Sequence, residues 1–565
     1  MSDRHLSSWP PSAPRDLDPP RTSLWANVEN AAKANPDRRA IVFYDSTLTY
    51  AELQRECERM AGYLTEVCGV KKGDRVGVYM QNSPQFVIAY YAILRANAVV
   101  VPINPMNLTG EIRYMLEDSG AKVLFASQEL APQALPLAGG EPLSHLIVAT
   151  YSDYLRTETE LTIPDFVKAP RLNVADHASR GVIAWSDAIA KDLKPAAHSV
   201  GPDDLCVIPY TSGTTGNPKG CMHTHRTVMF TAVAPQYWFE QAKDLDSVLC
   251  VLPLFHVTGM QNSMNTPLFA GATVVILPRW DRSVAAQLIQ RYKVTSWTAV
   301  PTMVVDLLSS PDIDKYDLSS IKVMGGGGAA MPEAIAQKLQ DLCGITYLEG
   351  YGLSETIAPT HMNPPQKPKK QCLGIPIFGT DSRVVDPQTL KELGPNEVGE
   401  IITHGPQVFL GYWNKPDANR DCFVDVDGKK FFRTGDLGRV DEDGYFFIVD
   451  RLKRMINASG FKVWPAEVEA MLYAHPAVQE AVIIGTKDPR RGESVKAVVV
   501  PKANMRDKID ERSFIEWCQA NMAAYKVPRS VEFVETLPKT GSGKIMWRAL
   551  QELEDKRLAQ QQQQQ

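Results

Sequence analysis

The loop Tyr210-Thr-Ser-Gly-Thr-Thr-Gly-Asn-Pro-Lys-Gly220 leaves a short apolar strand, Cys206–Ile208, and crowds three glycines, four aliphatic hydroxyls and one lysine into eleven residues. Such a loop can turn backbone N–H groups and hydroxyls toward phosphate oxygens while Lys219 supplies positive charge. The spacing is not that of a Walker A loop, because Gly-x4-Gly-Lys-Ser/Thr fails from Gly213 and from every neighbouring glycine. On composition alone a flexible surface turn stays open. A second cluster, Gly350-Tyr-Gly-Leu-Ser-Glu355, sets a ring between two glycines and a hydroxyl beside a carboxylate. Gly350 and Gly352 let the backbone approach closely enough for Tyr351 to lie flat on a purine. Ser354 and Glu355, expected at a strand's carboxyl end, are hard oxygen donors suited to Mg2+ with a triphosphate. The run Gly325-Gly-Gly-Gly-Ala-Ala330 removes side chains where a ligand would pass close.

These residues need a scaffold, and the local patterns describe one. Thr49-Tyr-Ala-Glu52 is a capping box opening a helix with an apolar stripe at Leu53, Cys57, Met60, Ala61 and Leu64. A strand at Arg75–Met80, a helix from Pro84 to about Ala96, an apolar run Ala98–Ile103, a helix Thr109–Asp118 and a strand Val123–Ser127 follow. After residue 245 the rhythm returns, with strands at Val248–Leu252, Thr273–Leu277, Val294–Val300, Ile321–Met324 and Thr346–Leu348. Helices are expected from about Met260, over Val284–Tyr292 and from Pro332 to Leu342. Alternating strands and helices predict two wound α/β subdomains with parallel sheets. From about 380 to 449 short strands with Gly and Asp turns predict a β-rich subdomain. Beyond Lys453, a helix begun by Pro465, strands Ala481–Ile484, Ser494–Val500 and Val531–Val534, and a helix bearing Phe514 and Cys518 predict a small α+β domain.

Composition narrows the field. The chain has 565 residues, 44% hydrophobic and 22% charged, with 60 Lys+Arg against 65 Asp+Glu for a net charge of -5. That balance offers no field for a polyanion and argues against nucleic acid. Nine scattered cysteines without a Cys-x-x-Cys pair point to neither a disulfide frame nor a zinc site, and to a reducing, cytoplasmic setting. Residues 1–23, proline-rich and without a signal-peptide core, read as a flexible arm. The stretch Phe86–Ile103 is interrupted by Arg95, Asn97 and Pro102 and falls short of a membrane span, leaving at most peripheral membrane contact. The glutamine run at the C-terminus makes 556–565 a disordered tail.

The loop Thr211–Lys219 resembles the phosphate loop of the AMP-forming, acyl-adenylating superfamily of acyl-CoA synthetases, luciferases and nonribosomal adenylation domains. Gly350–Glu355, Tyr-Trp-Asn at 412–414, Thr434-Gly-Asp436, Asp450-Arg-Leu-Lys453 and Pro538-Lys-Thr-Gly-Ser-Gly-Lys544 match that family's motifs in order. The resemblance covers roughly residues 30–550. It implies an N-terminal adenylate-forming domain at 24–449, a hinge at 450–453 centred on Lys453, and a mobile C-terminal domain at 454–555.

By the same resemblance ATP is held by Ser212, Gly213, Thr214, Thr215 and Lys219, with Thr211 and Glu355 linked to the metal. Gly327, Gly328 and Ala329 wall the adenine and acyl chain. Gly350, Tyr351, Gly352 and Ser354 flank the nucleotide, Asp436 accepts from the ribose hydroxyls and Arg451 contacts ribose and phosphate. Ser459 and Gly460 border the pantetheine tunnel, His256 stands at the acyl pocket's mouth, and Lys544 bridges the attacking carboxylate and the α-phosphate. The implied activity is ATP-dependent acyl-CoA synthesis with Mg2+ and coenzyme A, by a monomer or homodimer. The segment Met455–Glu469 looks most like bacterial medium- or long-chain fatty acyl-CoA synthetases. The candidate acyl walls Trp297–Val300 and Gly325–Gly328 carry no cation for a second carboxylate, which favours a hydrophobic monocarboxylic acid. An aryl-CoA ligase for benzoate- or cinnamate-like acids, a carrier-loading enzyme and a luciferase-like enzyme remain alternatives.

Overall fold

A computed structural model describes residues 4–211, 217–239, 245–327, 331–451, 454, 456–458, 461–463, 465–488, 492–506, 508–539 and 545–563. The mixed α/β class expected from the alternating pattern is the one observed. The chain divides into two compact units, Met1–Asp381 with Thr403–Phe432, and Ser382–Ile402 with Arg433–Gln565.

The first unit holds two sheets. In the nine-stranded sheet the central strands Arg39–Phe43, Thr273–Ile276, Ser247–Cys250, Ser296–Thr298, Val323–Gly326 and Tyr347–Leu353 run parallel. Ser46–Thr49 and Ala358–Met362 add antiparallel margins. In the seven-stranded sheet Val182–Ala184, His145–Ala149, Val123–Ser127, Arg75–Tyr79, Val99–Pro102 and Leu205–Val207 are parallel and His223–Thr224 closes one edge antiparallel. Strands such as Val99–Pro102 and Val123–Ser127 are buried at every position, which is why they read as unbroken apolar runs rather than alternating ones. The helix Pro84–Arg95 is buried at all positions from Pro84 to Leu94, as a helix enclosed on every side must be. Ser83 caps it, its Oγ accepting from the Phe86 N–H at 3.1 Å. Among the described residues no helix is long and apolar enough to cross a membrane. All nine cysteines are free.

In the second unit, Gly492–Pro501 pairs antiparallel with Val478–Asp488 and parallel with Ser530–Phe533. Helices Pro465–Leu472, Glu511–Asn521 and Trp547–Gln563 accompany them. Residues 382–402 and 433–449, expected with the N-terminal domain, group here instead, because the far half of the long strand Lys429–Val440 pairs with Phe446–Arg451.

Two terminal expectations need correction. The arm at 1–23 is anchored: the 3-10 turn Arg4–Ser8 leads to Trp9, whose ring meets Trp238 edge-on at 5.0 Å and Phe378 at 5.4 Å. Ser8 is held by Gln366 Nε2 and Lys367 Nζ, both at 3.2 Å, and the Leu24 N–H donates to His225 Nδ1 at 3.0 Å. Trp9 is the arm's largest apolar anchor, with Ala13 buried and Leu17 packed against the core. The expected disordered tail is helical to Gln563, since glutamine is a good helix former once a turn precedes it.

Candidate active site

The phosphate loop is closed at its base by backbone. Tyr210 and Gly220 form a bridge, the Thr211 N–H donates to the Lys219 carbonyl at 2.9 Å, and the Lys219 N–H returns to Thr211 Oγ1 at 3.3 Å. Ser212, Gly213, Thr214 and Thr215 lie outside the described residues. Both ends of the loop are tied to one face of the helix Thr109–Ser119. Tyr210 OH donates to Asp118 Oδ2 at 2.8 Å, and Tyr114 OH, four residues earlier on the helix, donates to the Pro218 carbonyl at 2.9 Å. Asp118, with its side chain 8% exposed, also receives Lys415 Nζ at 2.6 Å, while its carbonyl takes the Trp413 indole N–H at 3.0 Å.

The segment around Tyr412 runs beside the loop's exit, with Cys221 bridged to Tyr412 and the Trp413 N–H bound to the Gly220 carbonyl at 2.8 Å. This register sets Tyr412 between two site groups. Lys219 Nζ lies 4.2 Å from the ring centroid, and Tyr412 OH donates to Glu355 Oε1 at 2.7 Å. Burial, then the Glu355 charge, pushes the Tyr412 phenol well above its ordinary range, so it stays a donor. The Phe409 N–H holds the Glu355 carbonyl at 2.9 Å. His223 Nε2 lies 2.7 Å from the Ser354 carbonyl, which can only accept, so Nε2 carries a proton, while Nδ1 faces Thr227 Oγ1 at 3.3 Å. Complete burial lowers its pKa to about 4. Thr211, Lys219, Ser354 and Glu355 are thus gathered through Tyr412 and His223. Sequence reasoning quoted the Tyr-Trp-Asn motif without giving Tyr412 a task, and passed over His223 and Asp118, whose partners lie far along the chain.

Tyr351 sits inside the strand Tyr347–Leu353, not after it, opposite His361 with ring centroids 5.6 Å apart. The glycines around it are required by the sheet itself. A Cβ at Gly326 would fall 1.9 Å from the Ala299 carbonyl oxygen and 2.3 Å from Tyr347 OH, splitting the 2.8 Å bond between them. At Gly327 it would meet the Gly350 carbonyl at 2.5 Å, and at Gly352 the Ala358 carbonyl at 2.3 Å. Close strand packing, rather than ligand passage alone, fixes these residue types. Gly328 and Ala329 lie outside the described residues. Glu349, buried, accepts from the N–H groups of Met331 at 2.8 Å and Cys372 at 3.2 Å, and burial raises its carboxyl pKa.

His256 follows the strand Ser247–Cys250, and so stands at the same carboxyl edge as Gly327 and Glu355, where open α/β sheets bind ligands. Its Nδ1 accepts from the Thr258 N–H at 3.3 Å, capping the turn Val257–Gly259. Trp297, in the candidate acyl wall, stacks on Trp280 at 5.5 Å with the rings 9° apart. In the second unit Asp436 is buried and is the register partner of Arg451. Its N–H donates to Thr434 Oγ1 at 3.1 Å, and that hydroxyl donates to the Ile401 carbonyl at 2.6 Å. Lys453, Ser459, Gly460 and Lys544 lie outside the described residues.

Among the described residues, the groups gathered on the loop and Glu355 are hard oxygens with the Lys219 ammonium, the chemistry of Mg2+ and phosphate. Mg2+ is held by one or two carboxylates plus phosphate oxygens and water rather than by a protein cage. Glu355, with one oxygen oriented by Tyr412, fits that use.

The family profile described as AMP-binding enzyme matches residues 28–413, and that of the AMP-binding enzyme C-terminal domain matches 467–544. The chain belongs to the AMP-binding enzyme family. Within this family it is similar to a long-chain-fatty-acid–CoA ligase of Bacillus subtilis (strain 168), 35% identical over 97% of this chain and 98% of that one. It is similar also to a feruloyl-CoA synthase of Amycolatopsis sp, 36% identical over 91% of this chain and 96% of that one. Crystalline ATP-bound MatB from Rhodopseudomonas palustris superposes with a TM-score of 0.80 at 28% identity, over 94% of this chain and 99% of that one. The protein is an AMP-forming acyl-CoA synthetase, an acid–thiol ligase.

Proposed function

We propose that the acid it activates is a hydrophobic, fatty-type monocarboxylate. The reading of the active edge rests on one observation: Tyr412 holds the Glu355 carboxylate from one side while its ring faces the Lys219 ammonium, beside the closed base of the phosphate loop. Lys219 and the loop hold the triphosphate of ATP, and Thr211 with Glu355 holds Mg2+. Mg2+, when bound, neutralises charge on the pyrophosphate. A carboxylate oxygen of the acid attacks the α-phosphorus, the bond to the β-phosphate bridging oxygen breaks, and pyrophosphate leaves with the electron pair. The CoA sulfur then attacks the acyl carbon of acyl-AMP, its proton passes to solvent, and AMP departs. Both steps run on positioning and electrostatics without a protein nucleophile.

By the family resemblance Asp436 and Arg451, register partners in the second unit, would serve the ribose, and Ser459 and Gly460 would serve CoA. The sequence likeness to a feruloyl-CoA synthase supports an aryl acid as the second reading. Pyrophosphate release over a panel of aliphatic and aromatic acids, with and without CoA, separates them. Aliphatic acids should give the higher kcat/KM, and faster turnover of ferulate or benzoate transfers the assignment to the aryl class. Lys544→Ala should lower ATP-driven adenylation by at least ~100-fold, yet convert synthetic acyl-adenylate and CoA at near-parent rate. Collapse of both steps in a folded variant would remove Lys544 from its adenylation role.

A further inference from the structure

Asn82 lies between the strand Arg75–Tyr79 and the helix Pro84–Arg95, in the seven-stranded sheet's half of the unit, and no catalytic motif contains it. It is 3% exposed, and all three of its hydrogen bonds go to the other sheet. Its Nδ2 donates to the Leu252 carbonyl at 2.9 Å and to the Leu277 carbonyl at 3.3 Å, and its Oδ1 accepts from the Leu254 N–H at 2.8 Å. Two carbonyls and one N–H allow only one orientation of the amide. Leu252 lies two residues past the strand Ser247–Cys250 and Leu277 directly follows the parallel strand Thr273–Ile276, so Asn82 spans the carboxyl ends of two neighbouring strands.

From Leu252 the chain makes a tight turn to His256. The His256 N–H donates to the Pro253 carbonyl at 3.1 Å and the Met260 N–H to the His256 carbonyl at 2.9 Å. Gly259 closes against this turn so tightly that a Cβ there would lie 2.3 Å from the Pro253 carbonyl oxygen and 2.6 Å from that of Leu252. The turn therefore has an intrinsic shape, and Asn82 fixes where that shape stands relative to both sheets. Asn82 is itself immobile. Ser83 beside it caps the buried helix, and the Gln81 N–H donates to Tyr151 OH at 2.9 Å, which donates to Glu129 Oε1 at 2.9 Å. A buried amide whose two shortest contacts go to one loop of another sheet, with the third on the neighbouring strand end, is a means of setting that loop's position.

We propose that Asn82 is a positioning residue for the acid site, holding the Leu252–His256 turn in register with the strand ends that carry the glycines and Glu355. The proposal rests on the reading that His256 stands at the acyl pocket's mouth. A turn displaced by a fraction of an ångström misplaces the acid but not the nucleotide, whose loop is tied separately to Asp118 and Tyr114. The predicted signature is a change in acid kinetics with ATP kinetics kept.

The test uses the full chain with Asn82→Asp, which is isosteric but loses both donors, Asn82→Ser, which removes bulk while keeping a donor, and His256→Ala. Adenylation is followed by pyrophosphate release and folding by circular dichroism. Both Asn82 variants should raise the KM for the acid about 10-fold or more while the KM for ATP stays within about twofold. In the His256→Ala background the same changes should cost less than in the parent, since residues acting through one another are non-additive. Unchanged acid kinetics, equal losses for acid and ATP, full additivity with a His256→Ala that itself impairs acid use, or failure of both Asn82 variants to fold overturns the proposal. A silent His256→Ala beside an acid-specific loss at Asn82 removes the reading of His256 and keeps the role of Asn82, with the turn's backbone facing the acid.

Discussion

At the carboxyl edge of the nine-stranded sheet, backbone packs on backbone: Gly326, Gly327 and Gly352 lie where any Cβ would strike a carbonyl oxygen of the next strand. The seven-stranded sheet delivers its loop differently. Between Tyr210 and Gly220 the position is set by side chains, with Asp118 and Tyr114 holding the loop's two ends and Lys415 and Trp413 holding Asp118 in turn. One edge is therefore fixed by shape and the other by charge and hydrogen bonding. Shape fails through stability, whereas a polar clamp fails through affinity and rate while the fold persists.

The largest expected effect is steric. Gly326→Ala should cost about 3 kcal/mol or more of stability, because backbone cannot yield as a flexible side chain does. Denaturant unfolding measures it, and a midpoint within error of the parent would show that the strands separate easily. The next tests the link between the two edges, His223 on the Ser354 carbonyl. With a folded pKa lowered to about 4, the neutral ring contributes stability fully present above the ordinary pKa of 6.5 and lost as pH falls toward 4. His223→Gln, which keeps a donor and cannot titrate, should therefore lose roughly 2 kcal/mol less than the parent between pH 7 and pH 5. Parallel melting curves against pH for the two proteins would dismiss the link. The smallest effect belongs to the clamp. Asp118→Asn should leave melting close to the parent's and lower kcat/KM for ATP about 10-fold, with acid KM kept. A loss shared by both substrates would mean that the clamp serves the whole unit instead of the loop.

Legibility from sequence followed the range of the interactions. The helix Tyr50–Glu66 was readable because Thr49 and Glu52 cap it within four residues, both halves of the box being present. Val123–Ser127 was readable from its own apolar run. The strand Arg39–Phe43 was not, since its parallel partner is Thr273–Ile276. The helix His225–Trp238 is buried nearly all round and contains Pro235, so it shows neither a stripe nor a clean interior. From Met260 to Asn265 the expected helix is a π-helix, a winding that periodicity does not distinguish. Motif positions such as Glu355 and Lys219 were legible as chemistry. The residues that orient them, Tyr412, His223 and Asp118, carry no local signal, because their meaning lies in contacts 57, 131 and 92 residues away.

Trp9 adds the dimension of time. It is synthesised well before the rings that receive it, Trp238 and Phe378, which lie far downstream. At 5–20 residues per second the wait for Phe378 is roughly 20 to 70 s. Through that interval the nascent chain trails an undocked indole, which can reach its place only after Phe378 has been made. A bulky fusion joined directly to the N-terminus would burden this late docking step, whereas one at the C-terminus would leave it untouched.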